Sequence, residues 1–109
     1  MDNLEVKFYD TVNDELLKFA VIISQSNCKW VFCKHKERNT YEVPGGHREA
    51  GENILATAKR ELQEETGALR FEIKPICVCS VTGKNRVNDT GEETFGLLCF
   101  AEITEFAKE

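Results

Sequence analysis

Apolar and polar positions alternate with two different periods along this chain, and the change of period marks its elements. Leu4 to Tyr9 alternates with period two, which predicts a weak strand. Leu17–Ser24 (LKFAVIIS) and Lys29–Cys33 (KWVFC) are rich in β-branched and aromatic residues, and Ser26-Asn27 between them predicts a hairpin. Tyr41-Glu42-Val43 predicts a short strand stopped by a turn at Pro44-Gly45-Gly46. From Asn53 to Thr66 the spacing predicts a helix. Asn53 suits the N-cap, Gly67 suits the left-handed position past the end, and Leu55, Ala58 and Leu62 share one apolar face. Phe71–Val81 and Thr94–Ile103 predict two more strands, joined by the polar segment Thr82–Glu93. Strands on both sides of one helix imply an α/β (α+β) fold, a mixed sheet with a helix packed on it.

With 109 residues and no repeat, linker or low-complexity stretch, the chain reads as one domain, residues 1–109. The net charge of −5 argues against a nucleic-acid polymer as partner, since such binding relies on clustered Lys and Arg. It leaves room for a small phosphorylated ligand whose charge a metal ion neutralises. No apolar run approaches the roughly 20 residues that cross a bilayer, so no membrane partner is expected. Met1 to Asp10 lacks the order of a signal peptide. The cysteines are Cys28, Cys33, Cys77, Cys79 and Cys99, an odd number without a Cys-x-x-Cys pair. They read as reduced, mostly buried thiols of a cytoplasmic protein rather than as a zinc site or a disulfide framework.

The chemistry concentrates on the predicted helix. Glu61, Glu64 and Glu65 stand at i, i+3 and i+4, so their Cβ atoms are neighbours, roughly 5–6 Å apart. They repel one another and lie toward the C-terminal end, where the helix dipole disfavours anions. Local helix stability therefore does not account for them. Two explanations remain open from the residues alone: a solvated acidic face with Arg60 paired to Glu64, or a divalent cation held by carboxylate oxygens.

The surroundings add a longer pattern. Gly46, five residues, Glu52, seven residues, then Arg60-Glu61-Leu62-Gln63-Glu64-Glu65-Thr66-Gly67-Ala68 resembles the Nudix box. All seven fixed identities are present: Gly46, Glu52, Arg60, Glu61, Glu64, Glu65 and Gly67. At ordinary residue usage they match by chance on the order of once in 10⁸ positions. Ala68 departs from the pattern, which has a larger aliphatic there. The preceding basic segment and Tyr-Glu-Val-Pro-Gly-Gly are similar to the approach to the box in small Nudix hydrolases.

The resemblance implies the Nudix fold, a mixed sheet packed between helices with the box as loop–helix–loop. It implies that Glu61, Glu64, Glu65 and the Gly46 carbonyl hold Mg²⁺ or Mn²⁺, and that Arg60, paired with Glu52, orients the carboxylates. Glu64 or an acid on a distant loop would be the general base. Glu92 and Glu93, before the last strand, are candidates for an additional acid, Glu93 in particular, or else a solvated loop end. Lys34, Lys36 and Arg38, with Gly45, are candidates for substrate phosphate contact. His35 is read as a surface histidine, His47 receives no role, and Trp30 and Tyr41 are read as core residues rather than base-stacking ones. Small members of the family usually carry a second helix after the last strand. Its apparent absence here would leave an apolar sheet face for a partner subunit to cover, so monomer and homodimer both stay open.

The implied activity is hydrolysis of a pyrophosphate bond in a nucleoside diphosphate linked to another group. A nucleoside triphosphate, including an oxidised one such as 8-oxo-dGTP, is favoured as the small nucleotide substrate. ADP-ribose or dinucleoside polyphosphate hydrolysis, and a nucleotide sensor without turnover, are the alternatives. A catalytic cysteine, as an isomerase of the superfamily needs, is not found in or beside the box.

Overall fold

The computed structural model describes residues 5–35, 40–83 and 92–107, with only the backbone for 33–35 and 40–41. Strand β1 (Glu5–Tyr9) leads to a 3₁₀ turn, η1 (Asp14–Leu16), and the long strand β2 (Leu17–Ser26). Three short strands follow, β3 (Lys29–Val31), β4 (Cys33–His35) and β5 (Thr40–Glu42), then β6 (Gly45–His47). Helix α1 (Ile54–Thr66) precedes the long strands β7 (Ala68–Thr82) and β8 (Thr94–Phe106). The main sheet is ordered β1-β7-β8-β2-β3, and β6 also pairs with β2. Strands β2 and β8 run parallel, whereas β1–β7, β7–β8, β2–β3 and β2–β6 are antiparallel. The sheet is therefore mixed, as the periodicity and the resemblance both predict. The small pair β4–β5 stands apart from it.

Helix α1 begins and ends where its caps dictate. Asn53 Oδ1 accepts from the Ala56 N–H at 2.8 Å, and Gly67 takes φ 77°, donating its N–H to the Gln63 carbonyl. The buried face is Ile54, Thr57, Ala58 and Leu62; Leu55, expected on the core stripe, is only partly buried. A 3.6-residue period lets the buried face drift, which brings Ile54 and Thr57 inward. This face packs on Ala20 and Ile22 of β2 and on Cys99, Ala101 and Ile103 of β8. Alanines at positions 20, 58 and 101 let helix and sheet approach closely. Each large aliphatic in the layer contributes roughly 1.5–3 kcal/mol of burial.

Three expectations are corrected. Gly45 and Gly46 do not end a strand in a turn but form one: Val21 pairs with Gly45 and Ala20 with Gly46, and Pro44 contributes its carbonyl to Ile22 N–H at 2.9 Å. Proline's missing donor is harmless there, because only its carbonyl is needed. Trp30 is 58% exposed rather than core, since β3 lies at the sheet edge. Tyr41's side chain lies outside the described residues. The hairpin turn sits one residue later than predicted, at Asn27-Cys28, because Ser26 pairs with Lys29. On the face away from α1, Val6 and Phe8 are exposed. Among the described residues no helix is long and apolar enough to cross a membrane.

Both turn residues have positive φ, 52° at Asn27 and 63° at Cys28, as a two-residue type I′ hairpin demands. Asparagine tolerates this region; cysteine carries a Cβ penalty there. Cys28→Gly, which makes the favoured Asn-Gly pair, should therefore raise stability by about 0.5–1 kcal/mol. Urea unfolding checks this, and an unchanged or lower midpoint would contradict it.

Candidate active site

Pro44, the two glycines and α1 meet along the outer edge of β2. A side chain on Gly45 would place its Cβ 2.5 Å from the Ala20 carbonyl oxygen, and one on Gly46 would sit 2.5 Å from the Glu61 carboxylate. Both positions need glycine for close approach, the first between two strands and the second between strand and helix. The Gly45 N–H donates to Glu65 Oε1 at 2.9 Å. Thus the Gly46 backbone, Glu61 and Glu65 are brought to one place, as the box pattern implies. Glu64 is on the same turn of α1 and is 59% exposed.

Arg60 organises the helix side. Its Nε donates to Glu52 Oε2 at 2.7 Å and its Nη2 to Glu52 Oε1 at 3.1 Å, a two-pronged ion pair. Nη1 reaches Glu61 at 2.8 Å and Glu64 at 3.3 Å, and Nη2 also donates to the His47 carbonyl at 3.0 Å. Glu52 further accepts from Thr57 Oγ1 at 2.7 Å and from the Glu49 N–H at 3.0 Å. The Arg60 guanidinium, then Thr57 and the Glu49 amide, hold the Glu52 carboxyl down at about 2. Glu52 in turn raises the Arg60 pKa. Glu61 goes the other way: burial raises its pKa, although Arg60 opposes this, and the neighbouring Glu65 and Glu64 add to the rise. For Glu61, burial outweighs the favourable Arg60 pair.

Thr57 and Arg48 were not read as site residues from the sequence. Thr57 left a faint signal, a polar residue next to Ala58 on the buried face. Arg48 left none, since it occupies a variable box position. Of the phosphate-contact candidates, Gly45 lies in the site, Lys34 is placed by its backbone in β4, and Lys36 and Arg38 lie outside the described residues. Glu93, before β8, is held by two hydroxyls. Its Oε2 accepts from Tyr9 Oη at 2.8 Å and Ser80 Oγ at 2.7 Å, so it joins β1 and β7. Cys79 and Cys99 are buried and free, and burial pushes both thiols up to about 11, which keeps them protonated and unreactive.

A carboxylate-bearing helix on a mixed sheet, facing a glycine edge strand, defines the class as a loop–helix–loop α+β domain. The chain belongs to the NUDIX family: the NUDIX domain matches residues 15–102. It is similar to YtkD of Bacillus subtilis (strain 168), named as a candidate 8-oxo-dGTP diphosphatase, with 33% identity over 86 residues. That match covers 79% of this chain and 54% of YtkD. The fold is similar to the crystal structure of a point mutant of the Bacillus subtilis pyrophosphohydrolase BsRppH, with TM-score 0.79 and 28% identity. That match covers 99% of this chain and 64% of the other. The chain therefore spans a little over half to two-thirds of the length of these relatives. Nudix proteins generally use divalent metal ions.

Among the described residues, no three His, Cys, Asp or Glu side chains stand ready around one point. Glu61 leans on Arg60, Glu65 on the Gly45 amide, and Glu64 faces solvent. The donor set nonetheless fits a hard divalent cation: carboxylate oxygens beside a glycine backbone that a Cβ would displace. The two glycines should respond differently to alanine. Gly45→Ala strikes the backbone of a central strand and should cost about 1–3 kcal/mol. Gly46→Ala strikes the end of the Glu61 side chain and should cost less. Denaturant melts of both variants check this, and equal or reversed losses would contradict the two close approaches.

Proposed function

We propose that this chain is a Nudix hydrolase that cleaves a pyrophosphate bond in a nucleoside diphosphate-X substrate with Mg²⁺ or Mn²⁺. The favoured substrate is a nucleoside triphosphate, including oxidised ones such as 8-oxo-dGTP, giving the monophosphate and pyrophosphate. The observation that carries this reading is the Gly46 backbone pressed against the desolvated Glu61 carboxylate, with Glu65 and Glu64 on the same helical turn. Family membership supports it, and the name of YtkD supports the triphosphate in particular.

The Gly46 carbonyl, Glu61, Glu64 and Glu65 would hold the metal. When bound, the ion supplies charge neutralisation on the phosphates and lowers the pKa of a water. The chain's own residues do the rest. Arg60 and Glu52 hold the helix carboxylates in register. Gly45, without a side chain, lets β6 lie against β2 and keeps its amide on Glu65. Glu64, exposed and in a longer contact with Arg60 (3.3 Å) than Glu52 or Glu61 makes, is the proposed base that takes the proton from the attacking water. Glu93, tied to Tyr9 and Ser80, is less suited to this role while those bonds last. Lys34, Lys36 and Arg38 remain proposed phosphate contacts, and the whole is proposed as a single domain acting on a small nucleotide, as monomer or homodimer, in the cytoplasm.

The test is turnover of 8-oxo-dGTP, ordinary nucleoside triphosphates, ADP-ribose and dinucleoside polyphosphates, with products identified. Hydrolysis should stop with chelator and return with Mg²⁺ or Mn²⁺. Glu61→Gln should lower kcat by about two orders of magnitude or more, because it removes a hard oxygen ligand. Yet the metal-free variant should be at least as stable as the parent, since the charged carboxylate is disfavoured where it sits. Full turnover in excess chelator, or parental rates in Glu61→Gln, would overturn the proposal.

A further inference from the structure

We infer that Arg48 is a positioning residue for the carboxylate cluster, acting through Glu52 and Arg60; this rests on the hydrolase reading above. The side chain is 20% exposed and every arm of its guanidinium is engaged. Nε donates to the Glu52 carbonyl at 2.6 Å. Nη1 donates to the carbonyls of Asp14 at 3.0 Å and Leu17 at 3.2 Å. Nη2 pairs with the Asp14 carboxylate at 3.0 Å. The Arg48 N–H also donates to the Lys18 carbonyl at 2.8 Å, continuing the β6–β2 ladder by one residue. One planar fork thus ties together η1, the start of β2 and the loop that enters α1.

Glu52 is the shared member of two clamps. Arg48 holds its main chain, and Arg60 holds its carboxylate. Arg60 also bonds the His47 carbonyl, so the loop from His47 to Glu52 is gripped near both ends by guanidinium groups. With Arg48 gone, the Glu52 carbonyl loses its charged donor and the loop loses its tie to β2. Glu52 would then follow Arg60 instead of anchoring it, and Glu61, held by Arg60 Nη1, would lose its fixed place. The contribution is geometric more than energetic. Asp14 is 69% exposed, and a surface ion pair of that kind adds little stability. Lysine carries the charge but cannot span three acceptor segments at once.

The experiment compares Arg48→Met with the parent by melting, kinetics, Mn²⁺ titration and NMR of the Arg60 Nε–H. Loss of an outer partner of a metal ligand predicts a fall in kcat of about tenfold or more and weaker Mn²⁺ binding, with KM changed less than kcat. The Arg60 Nε–H should exchange faster with solvent. Ile103→Val, a core change far from this loop, is the control for stability alone and should keep kcat, Mn²⁺ affinity and the protected Nε–H. A folded Arg48→Met with parental kcat, Mn²⁺ affinity and Nε–H exchange would overturn the inference. If Arg48→Met does not fold, Arg48→Lys is read by the same criteria, the same losses supporting the role and parental behaviour overturning it. Should the parent show no turnover of any substrate, the hydrolase reading fails while Arg60 exchange still decides whether Arg48 positions that side chain.

Discussion

The two-pronged pair between Arg60 and Glu52 is the interaction on which the rest of the site depends. It joins the middle of α1 to the loop before it, over an eight-residue separation, with contacts of 2.7 and 3.1 Å. From that fixed guanidinium, one arm reaches Glu61 and Glu64 and another reaches back to the His47 carbonyl. The arrangement collects four carboxylates, of Glu49 (3.8 Å), Glu52, Glu61 and Glu64, around one guanidinium. Glu52 is stabilised as a carboxylate by this neighbourhood, and Glu61 is destabilised as one by burial. The same few ångströms therefore hold one carboxylate whose charge is favoured and one whose charge burial disfavours.

The sheet supplies the opposing surface. Strand β6 is only three residues long, yet it brings Gly45 and Gly46 against both β2 and α1. Its pairing to β2 and the packing of α1 on β2 and β8 fix the distance between helix and glycines. A side chain at Gly45 would push β6 from β2, and one at Gly46 would displace the Glu61 carboxylate.

Much of this was legible in the residues. Asn53 and Gly67 gave the ends of α1 because capping is a local property, decided by the residue's own side chain and φ. The box pattern gave Arg60, Glu52 and the glutamates because their spacing on a helix is fixed. Gly45-Gly46 was misread as a turn for the converse reason. Two glycines after proline have high local turn propensity, and only the tertiary fit against Ala20 and Glu61 makes them a strand. Trp30 looked like core by composition, but strand composition does not say which strand is at an edge. Arg48 and Thr57 were invisible as site residues because their partners, Asp14, Leu17 and Glu52, meet them only in the folded chain. Glu93 is legible in the sequence only as an additional acid or a solvated loop end. The register of β1, β7 and β8 sets it against Tyr9 and Ser80.

Together these features describe a cluster of carboxylates tied to one guanidinium. The most direct measurement is steady-state kinetics of Arg60→Ala beside its melting curve, on the substrate that the parent turns over best. If Arg60 holds the carboxylates in place, kcat should fall by about a hundredfold or more, KM should change by much less, and the variant should still melt cooperatively as a folded protein. A folded variant with parental kcat would contradict the account. So would a variant that loses its fold, because Arg60 would then be a structural residue rather than the organiser of the site.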